Sequence, residues 1–164
     1  LDYLMQKLAL ITFLTSFLVF SSLAEVPKQY QATKLFSKED ARKLVDQYYS
    51  LHDNRADARE YYPLLADTEL HMLMGSVVSS KQEFKSWLRK IKLFSRSVKH
   101  TVKEIEISAT KNGSYFINLC VRYRGRTRLF TKFDNTDRIK WELVESKDEL
   151  RLVIQTYLVE KGCK

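Results

Sequence analysis

The chain has 164 residues, which is enough for one domain with an ordinary hydrophobic core and too few for two. Hydrophobic residues make up 45% of it and charged residues 29%, with only four glycines and two prolines, so a mainly disordered protein is excluded. The formal net charge of +8 favours anionic partners in general. Nucleic acid is not expected as a partner. The chain has no recognised nucleic-acid-binding motif, and its N-terminal residues, described next, predict export.

Residues 5–24, MQKLALITFLTSFLVFSSLA, predict a secretory signal, since an apolar run ends in small residues at Ser22 and Ala24. Cleavage before Glu25 would release an exported protein, periplasmic or secreted. The alternative is an uncleaved anchor, because the uncharged run over residues 8–24 just reaches the roughly 17 residues that are the lower limit for spanning a bilayer. A membrane location is expected only for that uncleaved form.

Three helices are predicted in the first half of the remaining chain. Ser37 is a suitable N-cap for the first, ARKLVDQYYSLHD, whose apolar residues recur at helical spacing. A short second helix in ADAREYYPLL breaks near Pro63 and leads into a short strand, TELHMLM, that ends at Gly75. Ser80 and Glu83 have capping-box spacing and begin a third helix. Its apolar stripe consists of Phe84, Trp87, Leu88, Ile91 and Phe94.

From His100 onward the pattern changes from helical to alternating. Four strands are predicted in HTVKEIEISAT, SYFINLCVRYR, RIKWELVE and ELRLVIQTYLV, with hairpin turns at KNG and SKD. The intervening RGRTRLFTKFDNTD is either a strand extension or a long loop. A phase shift between Val102 and Ile105 predicts a β-bulge. The order of elements therefore indicates an α+β domain, with three N-terminal helices packed on a strongly bent antiparallel sheet.

Cys120 and Cys163 are the only cysteines, and an oxidising compartment would favour a disulfide between them. In a consecutive meander one strand separates them, which places their backbones roughly 9–10 Å apart. A disulfide needs Cα atoms within about 7 Å, so the meander argues against an internal one. Two alternatives stay open because Cys163 follows Gly162: the tail could fold back, or it could pair with a second chain.

The segments ARKLVDQYYSLHD, AREYYPLLADTEL, KQEFKSWL, HTVKEIEI, KNGSYFINLCVRY and IKWELVESKDELRLVIQTY resemble the nuclear transport factor 2-like, or SnoaL-like, superfamily. The resemblance implies a cystatin-like α+β roll with a pocket between sheet and helices. The predicted organisation is residues 1–24 as signal peptide with an upstream extension, 25–36 as leader, 37–160 as the SnoaL-like domain and 161–164 as a tail. The superfamily includes isomerases, dehydratases, cyclases, epoxide hydrolases and non-catalytic modules, so fold alone does not select a function.

Comparison with the ketosteroid isomerase branch argues against steroid-isomerase chemistry. Where that branch has a carboxylate base, this chain has Met72 or Leu73. Tyr48 or Tyr49 could match the helix tyrosine of the branch. The region of its second acid has no clear match and instead contains Asn118, Cys120 and Arg122.

A dehydratase-like arrangement, in which histidines act with a helix-borne Tyr and Asp, is the better enzymatic match. The catalytic candidates are His71, His100, Tyr48 and Asp53, with His52 beside them in sequence. Histidine suits acid–base work because its pKa lies near neutral pH. The pocket candidates are Tyr49, Tyr62, Trp87 and Leu73. Four of these residues also have a structural alternative: Tyr48 as a core residue, His52 and Asp53 as helix-end residues, and His100 as a half-exposed strand residue.

Two polar segments are candidates for further sites. Arginines fall at alternate positions from Arg122 to Arg128, which on a continuing strand makes a basic row that either meets an anionic partner or guards a solvated face. The segment DNTD, residues 134–137, is predicted to be a turn, because it lacks the glycine and terminal glutamate of a calcium loop. The spacing of cysteines and histidines predicts no metal site, and no cofactor is predicted.

The leading hypothesis is an exported single-domain protein that binds a small apolar molecule or a protein partner, and that could form a homodimer. A small-molecule lyase or isomerase with dehydratase-like acid–base chemistry is the second hypothesis. The third is an envelope-assembly module, which an uncleaved anchor would favour. The missing carboxylate base is the reason that a binding role is preferred to a catalytic one.

Overall fold

The computed structural model describes residues 36–146 and 148–163. The predicted signal segment and all but the last residue of the predicted leader lie outside this range. The helices are α1 (Lys38–Asp53), α2 (Ala58–Tyr61), which continues into a 3-10 helix (Tyr62–Leu64), and α3 (Lys81–Phe94). The strands are β1 (His71–Leu73), β2 (Val77–Val78), β3 (Ser95–Ala109), β4 (Tyr115–Thr127), β5 (Lys132–Glu145) and β6 (Leu152–Lys161). None of the helices in this part of the chain is long and apolar enough to cross a membrane.

Helix α1 begins at the predicted cap. The Ser37 hydroxyl accepts a hydrogen bond from the Asp40 backbone N–H at 3.2 Å, and the Asp40 carboxylate accepts one from the Ser37 backbone N–H at 2.9 Å. This reciprocal capping box satisfies two donors at the helix start. One face of the helix is buried against the sheet through Ala41, Leu44, Val45, Tyr48 and Tyr49.

The short second helix and the third helix also begin and end near the predicted residues. Helix α2 passes into the 3-10 helix at Pro63, as predicted. At α3 the Ser80 hydroxyl accepts from the Glu83 backbone N–H, but the Glu83 carboxylate accepts from Ser79, one residue before the cap, so only half of the predicted capping box forms. The predicted short strand is reduced to β1 and pairs with β2, a two-residue strand that the sequence analysis did not find.

All six strands form one open sheet in the order β2-β1-β6-β5-β4-β3. The predicted antiparallel meander is present over β3 to β6, while β1 adds to β6 in the parallel direction. The register of β3 and β4 shifts between Val102 and Glu104, where a bulge was predicted. The segment after Tyr123 proves to be a strand extension with a tight turn, so residues 134–137 lie inside β5 rather than in a turn.

The helices pack on one face of this sheet, so the predicted α+β class is confirmed. The core between them is unusually aromatic, because its largest fully buried side chains include Trp141, Tyr48, Tyr61, Tyr115 and Phe84. The tyrosine rings meet edge to face; for example, the Tyr48 and Tyr61 centroids lie 5.6 Å apart at 80°. Such pairs stabilise the packing beyond the area that they bury.

Cys120 and Cys163 form an intramolecular disulfide, with Cα atoms 5.9 Å apart. The prediction from the meander that no internal disulfide forms was wrong, because the tail does not continue along β6. Gly162 has a φ of +77°, a left-handed conformation that glycine adopts readily. The tail therefore turns out of β6 and crosses β5 to reach β4, which is the folded-back alternative.

Candidate functional site

A cavity of about 900 Å³ lies between helices α1 and α3 and the inner face of strands β3 to β6. Its wall is mainly apolar and aromatic. These side chains are Tyr49, Leu73, Met74, Trp87, Ile91, Phe94, Val98, Val121, Phe133, Ile139, Tyr157 and Val159. Polar side chains are fewer and include His52, His100, Tyr123, Asn135, Asp137, Lys132 and Lys161. Alternation along each strand explains the wall, since residues two apart face the same side of a sheet.

A histidine–aspartate pair is built into this wall. The Nδ1 atom of His100 lies 2.7 Å from Oδ1 of Asp53, and the His100 backbone N–H donates to the same oxygen at 2.8 Å. A neutral imidazole bonded to a carboxylate through Nδ1 carries its proton there, so Nε2 is left as a hydrogen-bond acceptor. Burial lowers the pKa of His100, against the opposing effect of Asp53. At neutral pH the ring is therefore an uncharged base.

His52 is the second imidazole of the cavity. Its ring centroid lies 5.5 Å from that of His100, 4.8 Å from that of Tyr48 and 5.0 Å from that of Tyr61. Burial lowers the pKa of His52 to about 3, with smaller contributions from His100 and Lys92. His52 is therefore uncharged over the whole physiological range of pH.

A tyrosine–aspartate pair lies on neighbouring strands. The Tyr123 hydroxyl donates a hydrogen bond to the Asp137 carboxylate. Burial, together with this hydrogen bond, raises the pKa of Tyr123 well above its usual value. Tyr123 is the direct cross-strand neighbour of His100, with ring centroids 6.2 Å apart. The two polar pairs are thus adjacent on one side of an otherwise apolar cavity.

Two contacts fix the aromatic part of the wall. The Trp87 indole N–H donates to the Met74 carbonyl at 3.3 Å, which anchors α3 to the segment after β1. Phe133 lies over Gly125, where a Cβ atom would be 2.6 Å from the ring and 2.1 Å from the Ser97 carbonyl oxygen. Only a residue without a side chain fits there, so Gly125 makes room for this part of the wall.

The structure places some of the predicted site residues in the cavity. His100 lines it and Asp53 supports His100, while Tyr49, Trp87 and Leu73 also line it. Tyr48 does not, because it is completely buried in the core beneath. Tyr62 also lies outside, with the Lys81 ammonium 5.9 Å from its ring centroid.

His71 is exposed on β1 and does not line the cavity. His71 and His100 therefore do not share one pocket, which a catalytic role for both histidines would require. The reason is strand alternation: Met72 is fully buried in the core, so its neighbours His71 and Leu73 point the other way, and only Leu73 reaches the cavity rim. The structure pairs His100 with His52 instead.

Sequence reasoning missed Tyr123 and Asp137 as lining residues. The position of Tyr123 could have been predicted, because it lies between Arg122 and Arg124 on one strand and so faces the side of the sheet opposite to the arginines. Asp137 was hidden by the interpretation of DNTD as a turn. Among residues 36–146 and 148–163, no group of three or more His, Cys, Asp or Glu side chains is placed to hold a metal ion.

No protein-family model matches the chain, and no curated protein is significantly similar to it. Many solved structures share its fold. A nuclear transport factor 2-like superfamily protein from Salmonella enterica superposes with a TM-score of 0.70 at 10% identity, over 77% of this chain and 92% of the other. A candidate scytalone dehydratase from Novosphingobium aromaticivorans gives 0.66 at 12% identity, over 77% and 84%.

An uncharacterized protein with a cystatin-like fold from Caulobacter vibrioides gives a TM-score of 0.65 at 11% identity, over 77% of this chain and 89% of that one. Identities this low establish the fold alone. The chain has the nuclear transport factor 2-like fold, a cystatin-like α+β roll, as the resemblance implied.

Proposed function

We propose that the protein binds one small, largely apolar molecule in the cavity between its helices and sheet. The observation that carries this proposal is the cavity itself, with a volume of about 900 Å³ and a mainly aromatic and aliphatic wall. Ligand pockets in proteins typically have volumes of roughly 300–1,000 Å³, with a few polar groups that orient the ligand. On the evidence of the signal-like residues 5–24, binding would take place outside the cytoplasm.

The polar groups define the kind of ligand. His52 and His100 are both uncharged at neutral pH, so they offer hydrogen bonds without a net charge. Nε2 of His100 accepts a hydrogen bond, because Nδ1 is used by Asp53. A molecule with an apolar body and a hydroxyl or carbonyl group fits this environment. A fully polar molecule would leave the apolar wall unused.

Titration with N-phenyl-1-naphthylamine, an uncharged dye whose fluorescence rises in apolar surroundings, tests the proposal. The full chain should bind the dye saturably at one site. Val98→Trp and Val159→Trp fill the cavity from different strands and should each weaken binding at least roughly tenfold, because the indole occupies space that the dye needs. Leu150→Trp places the same indole on an exposed turn and should have no effect. Unchanged binding by both cavity variants would exclude this site.

The His100–Asp53 pair supports a second candidate function, acid–base catalysis of an isomerase or lyase type. Proton abstraction next to a carbonyl needs a base within hydrogen-bond reach and a hydrogen-bond donor or cation that stabilises the developing oxyanion. Nε2 of His100 is such a base, oriented by the carboxylate of Asp53 on the other side of the ring. In such a step Nε2 takes the proton from carbon, and the imidazolium is stabilised by Asp53 before it returns the proton to the product or to a leaving hydroxyl.

This second function predicts exchange of carbon-bound hydrogen. In deuterated buffer, a panel of aromatic ketones should lose α-proton signal by NMR faster with the protein than without it. His100→Gln should reduce the rate by roughly 10²–10⁴-fold. Asp53→Asn should also reduce it, because an amide permits the tautomer with the proton on Nε2. His71→Gln, at the exposed histidine, is the matched control; equal rates for wild type and His100→Gln would refute a catalytic role.

A further inference from the structure

The positive charge of the chain is concentrated in two segments. Residues 85–96, KSWLRKIKLFSR, contain five Lys or Arg and no acid, and residues 122–132, RYRGRTRLFTK, contain another five and no acid. The whole chain has 28 basic and 20 acidic residues, so the remaining sequence has 18 basic and 20 acidic ones. All of the net positive charge therefore comes from these two segments.

The fold brings the ends of the two segments together. The Arg128 backbone N–H donates to the Phe94 carbonyl at 2.9 Å, which joins the β4–β5 turn to the end of α3. The Arg96 guanidinium lies over the Phe130 ring, 4.8 Å from its centroid. Backbone hydrogen bonds from Thr127 to Thr131 and from Phe130 to Thr127 close the turn. The result is one continuous surface rather than two separate patches.

Large apolar side chains stand at the centre of this basic surface. Leu129 is 87% exposed, Leu93 65%, Phe94 64% and Phe130 63%; these four residues are called the apolar tip. Exposure of contiguous apolar residues of this size is unusual in a protein surface without a partner. The tip adjoins the cavity, since Phe94, Thr127 and Thr131 line the cavity at its edge.

A groove of about 220 Å³ lies beside the tip, between the start of α2, helix α3 and the turn. Its charged lining consists of Lys85, Arg89, Lys92, Arg128 and a single acid, Asp57. Asp57 is occupied as the cap of α2, where its carboxylate accepts from the Arg59 backbone N–H at 3.0 Å. A groove with four cations and one engaged carboxylate is suited to a phosphate group.

We propose that this end of the molecule docks on an anionic phospholipid membrane surface. The apolar tip enters the interfacial region, while the surrounding Lys and Arg side chains contact headgroup phosphates. Charge complementarity alone would also fit nucleic acid. A membrane fits better, because Leu93 and Leu129 offer a nucleic acid no charge, hydrogen bond or aromatic face to contact. Proteins that bind the membrane interface combine apolar side chains with surrounding cations in this way. The proposal stands apart from ligand binding in the cavity.

Vesicle flotation with the full chain measures the docking. Vesicles of phosphatidylcholine with about 30% phosphatidylglycerol should bind the protein much more tightly than pure phosphatidylcholine, and added salt should weaken the difference. Each basic residue near such a surface strengthens binding roughly fivefold, so Arg126→Gln with Arg128→Gln should weaken it about 30-fold. Lys38→Gln with Arg42→Gln, two exposed cations on α1, removes the same charge elsewhere and should change binding less than about threefold.

A second pair of variants tests the apolar contribution. Leu129→Ser with Phe130→Ser keeps every charge. Binding to the anionic vesicles should weaken at least roughly tenfold, because two apolar side chains no longer insert into the membrane interface. Both residues are exposed and only the Arg96–Phe130 contact is lost, so the thermal midpoint of unfolding should fall only slightly. The apolar N-terminal run of residues 8–24 is common to all of these chains, so it does not account for differences between them.

A local reporter locates the contact. Tryptophan fluorescence of a Leu129→Trp chain should be quenched by acyl-chain-brominated phosphatidylglycerol more strongly than that of the wild type.

Three outcomes of the flotation experiments overturn the proposal. They are equal binding with and without phosphatidylglycerol, wild-type binding by the Leu129→Ser, Phe130→Ser chain, and a loss in the α1 control as large as that in the Arg126→Gln, Arg128→Gln chain. The proposal is also overturned if an oligonucleotide displaces the vesicles and binds the Leu129→Ser, Phe130→Ser chain as tightly as wild type. Val98→Trp, which fills the cavity, should leave vesicle binding unchanged, so the two proposals fail separately.

Discussion

Replacement of His52 by glutamine should flatten the pH dependence of stability. The His52 ring is enclosed by the rings of Tyr48, Tyr61 and His100, and burial lowers its pKa to about 3, against about 6.5 in an unfolded chain. A lowered folded-state pKa means that the unfolded chain binds the proton more readily. The free energy of unfolding is therefore unaffected by His52 above about pH 6.5 and decreases progressively as the pH falls from 6.5 towards 3.

The size of the effect follows from the two pKa values. Protonation of the unfolded chain, with no matching protonation of His52 in the folded one, lowers the free energy of unfolding by about 2 kcal/mol between pH 7 and pH 5. The His52→Gln variant lacks this pH-dependent decrease. Any destabilisation caused by the substitution itself is the same at both pH values and cancels in the difference. The lowered pKa of His100 acts in the same direction, but it is present in wild type and variant alike.

Urea unfolding with the disulfide intact measures the free energy of unfolding at both pH values. The drop from pH 7 to pH 5 should be about 2 kcal/mol smaller in His52→Gln than in wild type. His71→Gln removes an exposed histidine and should leave the drop unchanged within about 0.5 kcal/mol. If His52→Gln and wild type lose stability equally, His52 is not held uncharged in the folded protein and the reasoning about the cavity interior is wrong.

Three further variants test the fold around the site. Gly125→Ala should lower the free energy of unfolding by about 1–3 kcal/mol, since the new methyl group would lie 2.1 Å from the Ser97 carbonyl oxygen; wild-type stability in a urea titration would contradict this. Cys120→Ser with Cys163→Ser opens a link across 43 residues and should cost about 4 kcal/mol, as should reduction of the wild type, and a thermal melt unaffected by both would contradict the bridge. Ser37→Ala removes the α1 cap and should cost about 1 kcal/mol, seen as a lower urea midpoint at unchanged slope.

The elements that depend on local chemistry could be predicted from the sequence. The cap at Ser37 and the apolar stripe of α1 lie within one stretch of chain, and so does the phase shift after Val102 that marks the bulge. The hidden elements depend on distant partners. The segment DNTD has poor strand propensity, but Asp134 is held in β5 opposite the arginine-rich β4, with its carboxylate 2.7 and 2.6 Å from two guanidinium nitrogens of Arg122.

The candidate site shows the same division. Strand alternation puts His71 and Met72 on opposite faces, yet the period of two does not say which face meets the core, and β1 has only three residues. The pairing of His100 with Asp53 joins residues 47 positions apart, at the end of α1 and early in β3. Such a contact follows from how the helix crosses the sheet, which no local pattern records. Histidine content could suggest acid–base chemistry, but only the packing could select the partners.

The apolar tip and the cavity share an edge, formed by Phe94, Thr127 and Thr131. The interior of the cavity offers uncharged imidazoles and a Tyr123–Asp137 pair, so it disfavours an unpaired charge. The edge differs, because Lys132 lines the cavity and also ends the second basic segment, next to the apolar tip. A charged group on a bound molecule would therefore cost least to desolvate at this edge, where Lys132 provides a countercharge.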